Sequence, residues 1–234
     1  MPIDIIIALA IGTGAMFVPI VAMMIRYKEK LWKSVPVSLL LTIAGTLGTY
    51  IWFFVEDSTW GGRSYYGAVF LVPIAFLLVA RWMRIPYGNL MDYCAPAECA
   101  MLAIMKYQCL IDGCCEGRIL RVYADGTWLA FPSQIVELIN ALVIMVVLMV
   151  MGYGKKFRGK VYAWYLVIYG ITRFILNWFR SGNYPLLLGL PAGNLWSLLA
   201  IFIGVLWLLD LKLTITKKTS ATDKEVAVAE DRNE

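Results

Sequence analysis

Val161-Tyr162-Ala163-Trp164-Tyr165-Leu166-Val167-Ile168-Tyr169-Gly170-Ile171-Thr172-Arg173-Phe174-Ile175-Leu176-Asn177-Trp178-Phe179-Arg180 has the length and apolarity of a membrane span, yet it holds two arginines. Tyr165, Tyr169, Arg173, Asn177 and Arg180 follow one another at steps of four and three, which places them on one face of a helix. An arginine at bilayer depth costs about 2.5 kcal/mol or more unless it faces protein or a water-filled cavity. Arg180, at the end of the stretch, fits a side chain snorkelling to the headgroups. Arg173 lies about two turns deeper, so the face that carries it marks a site.

The 234-residue chain is 61% hydrophobic and 16% charged, with a mean hydropathy of +0.71. This excludes a water-soluble domain and indicates an all-α polytopic membrane protein. Apolar runs near 4–25, 35–55, 66–83, 96–112, 132–152, 160–181 and 194–213 predict about seven transmembrane helices, the fourth being the shortest and most polar. The first run follows Met1-Pro2-Ile3-Asp4, with no basic n-region and no small-residue cleavage site, and reads as a retained span. Residues 1–216 form one membrane domain on this reading. After Thr216 the composition turns polar without apolar periodicity, so 217–234 are expected to be a disordered tail.

Lysine and arginine placement sets the expected orientation. Arg26, Lys28, Lys30 and Lys33 fall in the first loop, Arg81 and Arg84 in the third, Lys155, Lys156, Arg158 and Lys160 in the fifth, and Lys212, Lys217 and Lys218 after the last span. By the positive-inside rule these segments are cytoplasmic, the N-terminus is outside and the C-terminus inside. The net charge of +5 is then mostly inner-face charge, for which anionic headgroups are a sufficient partner and nucleic acid is not required. Of five cysteines, Cys94 and Cys99 fall toward the inner face and Cys109, Cys114 and Cys115 toward the outer. There is no CxxC pair and no histidine, so no metal and no cofactor is expected.

Three more segments bring polar groups toward the same outer half. In the fourth run Cys99, Lys106, Cys109 and Gly113 share a face. The fifth opens Phe131-Pro132-Ser133-Gln134 with Glu137 one turn inside, and that carboxylate is a partner for Arg173 or Lys106, or a lock between helices. The second loop reads Trp60-Gly61-Gly62-Arg63-Ser64-Tyr65-Tyr66-Gly67, in which glycines allow close approach to a ligand and Arg63 adds a cation. Its aromatics equally suit an interfacial belt. In Asp112-Gly113-Cys114-Cys115-Glu116-Gly117-Arg118 a disulfide from Cys109 to Cys114 or Cys115, or inert thiols, outweighs a nucleophile. Arg173, Lys106 and Arg63 together suit a lipid phosphate, since guanidinium grips phosphate oxygens bidentately and lysine supplies a point charge.

At these residues, from about Gly61 to Ser197, the chain resembles the prolipoprotein diacylglyceryl transferase family. Gly61-Gly62-Arg63-Ser64-Tyr65-Tyr66-Gly67 resembles the family's GGxSFHGG loop, and Lys106 to Arg118 lies without gaps on GRxGNFxNxExxGR. Phe131 to Glu137 resembles HPSQLYE, Tyr169 to Phe174 resembles YGxxRF, and Gly189 to Asn194 with Ser197 resembles GLSxGQxxS. Divergent members of the family carry a Gly-Cys-Cys version of the signature. The family histidine is replaced by Tyr66, the signature arginine by Lys106, its asparagine by Cys109 and its glutamate by Cys114.

The resemblance implies a bacterial plasma-membrane enzyme that moves the diacylglyceryl group of phosphatidylglycerol, or a similar anionic phospholipid, onto a cysteine thiol of a lipoprotein precursor, with glycerol phosphate leaving. Arg173, Lys106, Tyr169 and Glu137 are then the catalytic candidates: Arg173 on the phosphate, Lys106 at the leaving group, Tyr169 on the headgroup, and Glu137 or a water as acceptor of the thiol proton. Gly62, Arg63, Ser64, Tyr66, Cys109, Cys114, Gly117, Gln134, Asn177 and Asn194 are the substrate-binding candidates. A non-catalytic phospholipid-binding protein on the same fold, or the same chemistry with another acceptor, stands as the alternative.

Overall fold

The structure, a computed structural model, describes residues 2–58, 62–115, 117–181, 185–187 and 189–209, and the side chains of these apart from 2–9 and 185–187. Its long helices are α1 (Pro2–Tyr27), α2 (Ser34–Asp57), α3 (Tyr66–Met83), α4 (Tyr87–Ile111), α5 (Ser133–Tyr153), α6 (Val161–Asn177) and α7 (Ala192–Leu209). The chain is mostly helical, and α1, α2, α3, α5 and α7 are long and apolar enough to cross a bilayer. The two remaining helices are the polar ones, α4 and α6. The tail expected from 217 onward lies outside the described residues.

Helix α4 starts well before the apolar run at 96–112, because its first turns hold Asp92 and Glu98, which interrupt the apolarity but not the helix. It is the central element, packing on α1, α3, α5 and α6. Both acids are buried and bonded. Asp92 accepts the Tyr27 hydroxyl at 2.7 Å and the Val161 N–H at 2.8 Å, as well as the Gly159 N–H, and so fixes the start of α6 against α4 and α1. The Glu98 carboxylate accepts Tyr162 Oη at 3.3 Å, and its backbone carbonyl accepts Tyr65 Oη at 2.7 Å. Tyr65 and Tyr165 hydroxyls lie 3.0 Å apart. Asp92, Glu98, Tyr65 and Tyr165 are thus paired within the bundle, as a low-dielectric interior requires.

Small residues set the closest helix contacts. A methyl on Gly48 of α2 would sit 2.7 Å from the Gly67 carbonyl of α3, and one on Gly170 of α6 would sit 2.9 Å from the Ser197 carbonyl of α7. Outward, Leu39, Ile43, Leu47 and Ile51 line one exposed face of α2 at steps of four. An exposed apolar stripe of that length suits lipid, not water.

The mostly helical chain agrees with the all-α expectation, and among the described residues two short hairpins accompany the helices. Strands β1 (Ile119–Val122) and β2 (Trp128–Ala130) pair antiparallel between α4 and α5, and β3 (Pro185–Leu187) pairs with β4 (Leu190–Pro191) before α7. The first is closed by Asp125, whose Oδ1 accepts the Thr127 N–H at 3.0 Å and hydroxyl at 2.7 Å, an Asx turn. Those bonds hold the Asp125 carboxyl below its ordinary range.

Candidate functional site

Where α4, α5 and α6 meet, Lys106 Nζ lies 2.6 Å from Glu137 Oε2, and the Arg173 guanidinium contacts the same oxygen. Arg180 Nε approaches the other oxygen at 3.8 Å. Glu137 is 4% exposed and Lys106 7%, so the charges meet away from solvent. Burial of ions is repaid only by close pairing, and here one carboxylate serves three basic groups. Positive charge is left in excess among the described residues. Arg173 Nε is buried with no hydrogen-bond partner among them, and an orphaned donor of this kind costs about 1–3 kcal/mol.

Arg180 enters the cluster, contrary to its reading as a headgroup-snorkelling side chain. Just after α6 the backbone bends to meet the loop that follows α4. The Arg118 N–H donates to Phe179 O at 2.8 Å, Gly117 bridges Arg180, and Phe131 stacks on Phe179 with ring centres 4.9 Å apart. Gly117 is required by this approach, since a Cβ there would overlap the Phe131 carbonyl. No periodicity in the sequence encodes such a loop contact.

Aromatic rings wall the cluster. Tyr169, one turn before Arg173, stacks on Tyr165 at 5.7 Å and meets Tyr65 edge-on at 5.4 Å. Tyr66 bonds α7, its hydroxyl 2.9 Å from the Gly193 carbonyl and 2.5 Å from Ser197 Oγ, and the charge of Arg173 acts on it. Asn177 and Asn194 are buried nearby. Asn194 Nδ2 donates to Phe174 O at 3.5 Å, and Asn177 is packed against Gly193, where a Cβ would leave Nδ2 only 2.5 Å away.

Other sequence candidates are placed elsewhere. Arg63 is exposed, donates from Nε to Tyr50 Oη at 2.8 Å and lies over that ring, so it does not join the Glu137 cluster. Ser64 donates its N–H to Thr49 O at 2.9 Å. Gly62 makes a close approach, but to the Phe53 ring: a Cβ would sit 2.5 Å from Cε2. The loop therefore uses its residues to fasten α2 to α3.

Cys109, Cys114 and Cys115 come together, with all three Sγ atoms within 4.8 Å of one another and all three thiols free. Gln134 Nε2 donates to Cys114 O at 2.8 Å and Ser133 Oγ to Cys115 O at 2.6 Å, tying this turn to the first turn of α5. The Cys115 thiol is drawn below its ordinary range, chiefly by a hydrogen bond from Cys109 and further by the charges of Lys106 and Arg180, while burial opposes. Spacing alone did not single out Cys115.

Fold and cluster together define a multi-pass membrane protein with a buried, cation-rich polar centre. Its sequence matches the family model for prolipoprotein diacylglyceryl transferase over residues 5–209, and the chain belongs to that family. It is similar to phosphatidylglycerol–prolipoprotein diacylglyceryl transferases of Geobacter sulfurreducens (31% identical over 140 residues, 57% of this chain and 53% of the relative), Campylobacter curvus (29% over 175 residues, 67% and 60%) and Teredinibacter turnerae (27% over 188 residues, 71% and 65%). The chain spans about half to two thirds of the length of these relatives.

Proposed function

We propose that the protein is a phospholipid-dependent transferase of the bacterial plasma membrane that moves the diacylglyceryl group of phosphatidylglycerol, at the outer leaflet, to a cysteine thiol of a lipoprotein precursor. The observation that carries this is the convergence of Lys106, Arg173 and Arg180 on the single carboxylate of Glu137, with Arg173 Nε still unpartnered among the described residues. A phosphodiester supplies both the missing negative charge and the missing acceptor. In the topology proposed with it, α4 and α6 cross together with the five apolar helices, the N-terminus outside and the C-terminus inside, which reporter fusions to each end test.

In this reaction the sulfur of the acceptor forms a bond to the glycerol carbon as that carbon's bond to phosphate oxygen breaks. Arg173 binds the phosphate, Lys106 and Arg180 offset the charge that grows on the leaving oxygen, and Tyr169 holds the headgroup. Glu137, with its oxygens engaged by three cations, serves as their counter-ion and orients them. Purified protein given labelled phosphatidylglycerol and a lipobox peptide should yield lipidated peptide, and Arg173→Ala should yield none. Absence of product where a relative works under the same conditions sinks the reading.

One observation favours a second reading, lipid binding without turnover: the Tyr66 hydroxyl, at the position of the family histidine, is engaged by Ser197 and Gly193. On that reading Tyr66→His with Lys106→Arg creates no activity, while Arg173→Ala abolishes headgroup-dependent lipid binding.

A further inference from the structure

The turn after α4 draws three thiols together by specific backbone means. The helix stops at Ile111, the Cys114 N–H donates back to Cys109 O at 3.1 Å, and Gly113 and Cys115 take φ values of +64° and +61°. For Cys115, which has a side chain, that conformation costs about 1–3 kcal/mol. Its retention is sustained by the Ser133 and Gln134 bonds to the turn, and its effect is to bring the third sulfur beside the other two.

We propose that Cys109, Cys114 and Cys115 are the three protein ligands of a zinc ion whose fourth position receives the acceptor thiol. The acceptor role rests on the transferase reading above; the metal site does not. Zinc–sulfur bonds of about 2.3 Å in a tetrahedron put sulfurs about 3.8 Å apart, so a cluster already within 4.8 Å needs only a small contraction. Three protein ligands, and not four, are the arrangement that leaves zinc an open coordination position. Cys114 is exposed while Cys109 and Cys115 are half-buried, which directs that opening outward, to where a protein substrate arrives.

Charge balance agrees. Three thiolates around a dication carry one net negative charge, and the charge of Lys106 acts on both Cys109 and Cys115, that of Arg180 on Cys115. The site therefore neutralises part of the excess positive charge around Glu137. It also provides what the rest of the centre does not. The chain has no histidine, and Glu137 is held by cations, so neither of these serves as a free base for the acceptor thiol. Zinc generates the thiolate directly, because a coordinated thiol loses its proton, here to water. The sulfur lone pair then forms the C–S bond to the glycerol carbon, the C–O bond to phosphate breaks, and the phosphate oxygen keeps that electron pair beside Arg173. The neutral thioether product is a poorer ligand and leaves.

The test uses the full chain, purified in detergent under reducing conditions. One zinc per protein is expected by elemental analysis. Cobalt substituted for zinc should show sulfur-to-metal charge transfer and the visible bands of a tetrahedral ion. A lipobox peptide should shift those bands, and the same peptide with serine for cysteine should not. Cys114→Ser and Cys115→Ser should each weaken metal binding by about a hundredfold or more, with the helical circular dichroism unchanged. No cobalt spectrum, or a disulfide joining two of these cysteines in protein isolated from membranes, overturns the site. A cobalt spectrum indifferent to the peptide overturns the acceptor role, as does full transfer by metal-free protein. Stoichiometric zinc without any transfer leaves the metal site standing and counts against the transferase reading alone.

Discussion

Lys106 Nζ and Arg173 share one carboxylate oxygen of Glu137, the lysine at 2.6 Å, although the two cations come from different helices. Like charges tolerate this approach only while the carboxylate is present. Glu137→Gln should therefore destabilise the protein by about 3–5 kcal/mol, the range for removing one partner of a buried ion pair. Combining it with Lys106→Met should cost less than the two changes summed, because the second removes a charge that the first stranded. Thermal unfolding in detergent reads both. Additive losses would show that Lys106 and Glu137 are not coupled.

Arg173→Lys keeps the charge and discards the fork. Lysine cannot hold two phosphate oxygens in plane or reproduce the free Nε donor. Turnover should fall by about a hundredfold or more, in the range for losing one positioned donor to a developing anion, while the fold is retained because Glu137 still meets a cation. Near-normal turnover, measured as labelled diacylglyceryl on the peptide, would place the phosphate elsewhere.

Tyr66→Phe probes the hydroxyl that joins α3 to α7. Ser197 Oγ keeps its bond to Gly193 O at 2.8 Å without the tyrosine, so no α7 partner is stranded and the stability loss should be about 1 kcal/mol. A loss of several kcal/mol would make Tyr66 chiefly a structural bridge between α3 and α7. If the phenol instead serves the reaction through Arg173, turnover should fall further than stability does, and the ratio of the two losses separates the roles.

Much of the centre was legible because helix periodicity carries it. The spacing of Tyr165, Tyr169 and Arg173, and of Lys106 with Cys109, puts polar groups on single faces, and an ion in an apolar run needs a partner. Glu137 was the available carboxylate, and the structure brings it to both cations. What stayed hidden depends on loops and on packing between distant segments. Arg180 turns inward only because the chain after α6 pairs with the segment after α4. Arg63 finds Tyr50 and Gly62 meets Phe53, contacts of the loop back onto α2 that no local pattern announces. The hairpin at 119–130 had a signal in Asp125-Gly126, a turn pair between two apolar triplets, which the strength of the helical pattern obscured. The early start of α4 was masked by Asp92, since hydropathy treats a bonded acid and a solvated one alike.

Asp92 accepts from three donors at once, the Tyr27 hydroxyl and the backbone N–H groups of Gly159 and Val161, and it is fully buried. Tyr27→Phe removes one donor and leaves the carboxylate two others, so it should cost about 1 kcal/mol. Asp92→Asn turns part of the acceptor into an amide donor facing other donors, and a loss of about 1–3 kcal/mol follows. Asp92→Ala strands all three donors and opens a void, and should exceed either. Because two of those donors sit at the entrance to α6, the alanine change should also loosen the helix that carries Arg173 and lower transfer activity, whereas Tyr27→Phe should not. Hydrogen exchange at the first turns of α6 gives the ordering directly. Equal protection in the three variants would mean that the α6 entrance is held by packing and not by Asp92.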